Sequence, residues 1–170
     1  MSENLYDVAQ QKEPVQGCFS KDFELNLRWL PEYIDDFPKV IADIDLKWEK
    51  CRFLKASRKI IPDKHGVYCF SLNLGSPFPD EIHLPMYIGK AAPGYLSERF
   101  DNYFKEKNSR KGRSKIVPML NKYQNCLFFW WATLPRLYVE TVEEHLLMCC
   151  KPPCNEAIPS SKKLWGKAFD

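Results

Sequence analysis

Three residues that can donate a hydrogen bond or carry charge crowd into the stretch "LPMYIGKAAPGYLSERF", residues 84–100: Tyr87, Lys90 and Arg99, set around Gly89. None is the usual filler of a core turn. Tyr68 lies in a short apolar run upstream, and Tyr103 follows Arg99 by four residues, so one helix face presents both. Glu143 falls on a downstream helical segment, and Asn155 lies just past its end. A further segment, "KEKNSRKGRSK", holds six basic residues (Lys105, Lys107, Arg110, Lys111, Arg113, Lys115) and one acid. The net charge of +3 decides nothing by itself, but this local positive charge fits a polyanion partner.

The elements that must position these residues follow from periodicity. "GVYCFSLNL" (66–74) is short and rich in β-branched and aromatic residues, which predicts a strand. "IHLPMYIG" (82–89) predicts a second strand, and the two form a hairpin across a long connection. In "GYLSERFDNYFKEK" (94–107), Leu96, Phe100, Tyr103 and Phe104 share one helical face, with Ser97 as a candidate N-cap. "KIVPMLNKY" predicts a short helix, and "CLFFWWATL" a central strand. "RLYVETVEEHLLMCC" predicts a helix ended by "KPPCN", because proline cannot continue it. Upstream, "LRWLPEYIDDF" and "KVIADIDLKWEKCRFL" read as two helices separated near Pro38. The basic run Lys55, Arg58, Lys59 reads as solvated surface.

The expectation is an α+β fold with a small sheet of about three strands flanked by helices, in the order β-β-α-α-β-α. Residues 1–60 form an N-terminal helical extension packed on the core, 61–157 the main domain and 158–170 a tail. At 170 residues the chain is long enough for a substantial core. No apolar run approaches a membrane span, and "MSENLYDVAQQKEPVQG" lacks the order of a secretory signal. A cytoplasmic protein without membrane partners is expected. The seven cysteines include a cluster, Cys149, Cys150 and Cys154, but no CxxC motif, which favours buried thiols over zinc.

These elements, taken together and in order, resemble the GIY-YIG nuclease superfamily. "GVY" (66–68) resembles the first signature, "YIGKA" (87–91) the second, "LSERFDNYF" the arginine helix and "VEEHLLMCCKPPCN" the terminal block. In that block a glutamate is followed by proline nine residues later and asparagine twelve later, a register that selects Glu143, with Pro152 and Asn155, over Glu144. The resemblance covers residues 66–155 and is closest to the restriction-endonuclease branch. The link from Tyr68 to Tyr87 is longer than in compact members, and Tyr103 stands where some restriction members carry histidine.

The resemblance implies a metal-dependent endonuclease that hydrolyses phosphodiester bonds in DNA, in restriction, phage defence or mobile-element biology. Glu143 would hold one Mg²⁺, with Mn²⁺ able to substitute; Mg²⁺ keeps several waters and needs few carboxylates. Arg99 would bind the scissile phosphate. Tyr68 would be the candidate base, helped by Lys90, since a free phenol titrates near ~10. Tyr87 and Tyr103 would position water or phosphate, and Asn155 would fix the local backbone. The basic segment would read backbone phosphates rather than bases. Duplex DNA is the expected partner, and cutting both strands would call for a homodimer or two events. The alternatives are an RNA or branched substrate, or an inactive nucleic-acid-binding module.

Overall fold

The computed structural model describes residues 29–73, 75, 82–109 and 111–156. Residues 1–28, 74, 76–81, 110 and 157–170 lie outside them. Helix α1 (Pro31–Val40) begins with proline in its first turn, where the missing N–H costs nothing. It runs through Pro38 instead of breaking there. Pro38 is exposed, so the carbonyl it leaves unpaired is cheaply solvated.

The second expected helix, Lys39–Leu54, does not form. An extended segment replaces it and ends in strand β1 (Glu49–Arg52). Ile44, Leu46 and Trp48 alternate with Asp43, Asp45, Lys47 and Glu49, which is the period of a strand, not of a helix. Those three apolar residues pack beside Val67, Ala132, Val139 and Val142.

A 3-10 turn (Lys55–Ile60) leads to strand β2 (Gly66–Leu72) and strand β3 (Leu84–Ala91). Helix α2 (Leu96–Lys107), helix α3 (Ile116–Lys122), strand β4 (Leu127–Thr133) and helix α4 (Arg136–Cys150) follow. The sheet is antiparallel, four-stranded rather than three-stranded, in the order β1-β4-β2-β3. β4 is central, as its apolar run predicts. α4 stops at Lys151, which takes a left-handed φ of 35° ahead of Pro152.

Period-two alternation divides the strand residues between two cores. Tyr68, Phe70, Leu72, Phe129 and Trp131 face α2 and α3, against Phe100, Tyr103, Met119 and Leu120. Val67 and Ala132 face α4 and meet Val139 and Val142, with Phe37 of α1 and Ile41 just past its end packed alongside. Among the described residues no helix is long and apolar enough to cross a membrane.

Candidate functional site

The β2–β3 hairpin sets Tyr68 directly opposite Gly89. The Tyr68 ring lies over the glycine so closely that a Cβ at position 89 would stand 2.5 Å from its hydroxyl oxygen. Gly66 meets a similar demand from the other side: a Cβ there would lie 2.2 Å from the Ala132 carbonyl oxygen of β4. Both glycines are therefore places where a neighbour needs the room of a side chain. A register shift between Phe70 and Ser71 makes Met86 an extra residue on β3, and Met86 and Tyr87 both pack against the core on the α2 side.

Helix α2 brings the second group of side chains. Three contacts fix its start: Leu96 N–H donates to the Lys64 carbonyl at 2.9 Å, Ser97 Oγ donates to Asp63, and Arg58 Nε donates to Asp101 at 2.8 Å. Ser97 is thus a buried anchor and not the N-cap; Glu98 closes the first turn by accepting from Tyr95 N–H at 2.9 Å. Arg58 is an anchor as well, not free solvated surface. Residues Arg99, Asn102, Tyr103 and Glu106 then project along one helical face. Arg99 Nη2 donates to the Pro93 carbonyl at 3.1 Å, while its Nε is buried with no hydrogen-bond partner among the described residues.

The Tyr68 and Tyr103 hydroxyls lie 2.9 Å apart, and both rings are buried. Burial pushes the Tyr68 phenol up, Tyr87 adds to the rise, and the Tyr103 hydroxyl, Arg99 and Arg113 oppose it without winning. Burial likewise holds the Tyr103 phenol well above its ordinary range. At neutral pH both are neutral phenols.

Helix α4 supplies the carboxylates. Lys90 Nζ lies 3.0 Å from Glu143 Oε2 and 2.9 Å from Glu140 Oε1. Burial raises the Glu143 carboxyl, and the attraction of Lys90 only partly offsets it. Burial also pulls the Lys90 ammonium down, but Glu140 and Glu143 outweigh it and the net shift is upward. Glu144 does not line the cleft described below. Asn155 acts on the edge of β3: its Oδ1 accepts from Ile88 N–H at 2.9 Å and its Nδ2 donates to the Ile88 carbonyl at 2.8 Å. It holds the backbone between Tyr87 and Gly89 and takes no part in the cleft wall.

The basic segment is not one uniform surface. Arg113 folds inward, with Nε and Nη2 on Glu106 at 2.9 and 2.8 Å and Nη1 on the Tyr87 hydroxyl at 3.1 Å. Lys107 donates to the Gln124 side chain and Lys115 to the Pro153 carbonyl. Lys105 and Lys111 are exposed, and Arg110 lies outside the described residues.

These parts meet in one cleft of about 270 Å³. Of the residues singled out from the sequence, Tyr68, Tyr87, Lys90, Arg99, Tyr103 and Glu143 line it and Asn155 does not. Sequence reasoning missed Asn102 and Glu106 and left Arg113 among the surface cations. Helical arithmetic carried the signal for the first two: they stand three and seven residues after Arg99, on the same face. Cys149, Cys150 and Cys154 are buried thiols away from this wall, and burial pushes Cys154 up to about 11. Among the described residues no group of three or more His, Cys, Asp and Glu side chains gathers to hold a metal ion. Comparison with family models, curated proteins and solved structures found no match.

Proposed function

We propose that this chain is a metal-dependent endonuclease of the GIY-YIG kind that hydrolyses phosphodiester bonds in DNA. The observation that carries the reading is Arg99. It lines the cleft, and its buried Nε lacks a partner among the described residues. An unmet buried donor costs about 1–3 kcal/mol, and a phosphate oxygen would satisfy it. Lys90 and the Tyr87 hydroxyl line the same wall, so an anion placed there would meet several donors at once.

The donor set also fits a hard divalent cation. Glu143 offers a carboxylate to the cleft, three tyrosines line the same cleft, and no thiol or imidazole lines the wall. In this reading Glu143 holds the ion, and Glu140, one turn earlier, shares its lysine partner. A bound Mg²⁺ would polarise the phosphoryl group and offset charge on the departing oxygen.

The chain's own residues account for the rest. Arg99 holds the phosphate and stabilises its developing charge. Water's oxygen bonds to phosphorus as the bond to the departing sugar oxygen breaks. That oxygen leaves with the electron pair and takes a proton from solvent. The proton that water loses needs an acceptor. Tyr68 is ill suited, because it is buried and hydrogen-bonded to Tyr103. Tyr87 is half-buried, and its oxygen already accepts from the cationic Arg113. Its remaining lone pair makes it the better placed of the two to accept a hydrogen bond from the attacking water, whose proton passes on to solvent.

The test is a cleavage assay with Mg²⁺ or Mn²⁺ across duplex, branched and single-stranded DNA and RNA. Glu143→Ala is expected to abolish cleavage and Glu144→Ala to leave it. Arg99→Ala is expected to slow cleavage more than it weakens binding. Equal loss from both glutamate changes, with the fold intact, would remove the metal-ligand assignment. Binding without cleavage on every substrate would leave a nucleic-acid-binding module in place of an enzyme.

A further inference from the structure

Glu106 accepts three hydrogen bonds from one residue. Arg113 backbone N–H reaches its Oε1 at 3.0 Å, Arg113 Nε the same oxygen at 2.9 Å, and Arg113 Nη2 its Oε2 at 2.8 Å. A two-pronged contact of this kind fixes the plane of the guanidinium. The nitrogen left over, Nη1, donates to the Tyr87 hydroxyl at 3.1 Å. The guanidinium carbon sits 5.4 Å from the centre of the Tyr87 ring and 5.3 Å from that of Tyr103. The fork therefore ties α2, the loop before α3 and β3 together at one phenol. A cation spent on a carboxylate and a phenol is poorly placed to wait for a passing phosphate.

We propose that Glu106 and Arg113 are a positioning pair: Glu106 orients Arg113, and Arg113 orients the Tyr87 hydroxyl for the proposed hydrolysis. The inference rests on the nuclease reading for its kinetic consequence but not for its structural one. A phenol has one proton and two lone pairs. Arg113 occupies one lone pair, which leaves the O–H and the second lone pair for the cleft. Rotation of the hydroxyl about its C–O bond is thereby restricted to orientations that serve substrate or water. Lysine cannot replace this arrangement, because an ammonium lacks the planar fork.

The two roles open to Arg113 predict opposite results. If it is a backbone-phosphate contact, Arg113→Lys keeps most of its effect. Glu106→Gln, which removes a negative charge near a polyanion, would then leave cleavage intact or strengthen binding. If the pair positions Tyr87, Arg113→Lys and Glu106→Gln each slow single-turnover cleavage by about 100-fold, the scale of a misplaced reacting group, with DNA affinity unchanged. In a Tyr87→Phe background neither change slows the reaction further.

A second measurement does not need activity. With tyrosines labelled at Cζ with ¹³C, the Tyr87 resonance is expected to shift in Arg113→Lys and in Glu106→Gln, and to stay in Lys111→Ala. A wild-type chain that cleaves nothing would sink the nuclease reading, and the resonance would then decide the pairing alone. A Tyr87 resonance unmoved by either substitution, or wild-type cleavage in Arg113→Lys, would overturn the proposal.

Discussion

An alanine at position 89 would place its methyl carbon 2.5 Å from the Tyr68 hydroxyl oxygen and 2.6 Å from its Cζ. The Tyr68 ring has nowhere to go. It stacks on Phe129 at 5.3 Å between centroids, and its hydroxyl is bound to that of Tyr103. Overpacking a filled core costs roughly 1–3 kcal/mol, and losing the buried hydroxyl pair adds about 1 kcal/mol. Alanine is otherwise the better strand residue by roughly 0.5–1 kcal/mol, so steric conflict and backbone preference act in opposite directions. The clash wins. Gly89→Ala is expected to destabilise the protein by about 1–3.5 kcal/mol, or roughly 2–14 °C in Tm for a chain of this size. Denaturant unfolding of a double-mutant cycle with Tyr68→Val isolates the cause. With the ring gone, the added methyl meets empty space, and the same glycine change is expected to be neutral or slightly stabilising. An equal cost in both backgrounds, to within about 0.5 kcal/mol, would refute the claim that the ring dictates the glycine.

Glu143→Gln is expected to raise Tm at neutral pH while abolishing cleavage, because burial makes the ionised carboxylate unfavourable despite Lys90. Its folded value lies above the unfolded one near 4.5, so the cost is present at neutral pH and disappears below that unfolded value. A lower Tm in the variant would show that the Lys90 contact outweighs burial. Glu106 has the opposite sign. Burial raises it, but the hydrogen bonds from Arg113 outweigh that and hold it below 4.5. Its stabilisation is therefore complete above about 4.5 and lost as pH falls through the lowered folded value. Glu106→Gln should flatten that part of the acid stability curve, and an unchanged curve would contradict the pairing. Asn155→Ala removes both hydrogen bonds to Ile88 and is expected to cost about 1–3 kcal/mol by chemical denaturation. Asn155→Asp should cost no less, because it turns an oxygen toward the Ile88 carbonyl; wild-type stability in either variant would remove Asn155 from the strand edge.

Strand alternation and helical spacing indicate the elements that carry Tyr68, Tyr87, Lys90, Arg99, Tyr103 and Glu143, while the resemblance of the motifs singles these residues out, Glu143 over Glu144 included; the structure lines one cleft with all six. The helix Arg136–Cys150 and the central strand are legible in the sequence itself. β1 was missed: the apolar residues from Lys39 to Leu54 match a helical template as well as the alternation of Ile44, Leu46 and Trp48 just before the strand, and only pairing with β4 decides between them. The remaining decisions are tertiary. Whether a surface-looking arginine is solvated or committed depends on what lies across the fold from it. Arg58 finds Asp101 forty-three residues away, and Arg113 finds Tyr87 twenty-six residues away. The reason for the glycines at 66 and 89 is equally nonlocal. Position 89 must be glycine because the ring of Tyr68 lies on it, and position 66 because the Ala132 carbonyl does. A sequence records that a small residue is present; only the packed structure says which neighbour takes the space.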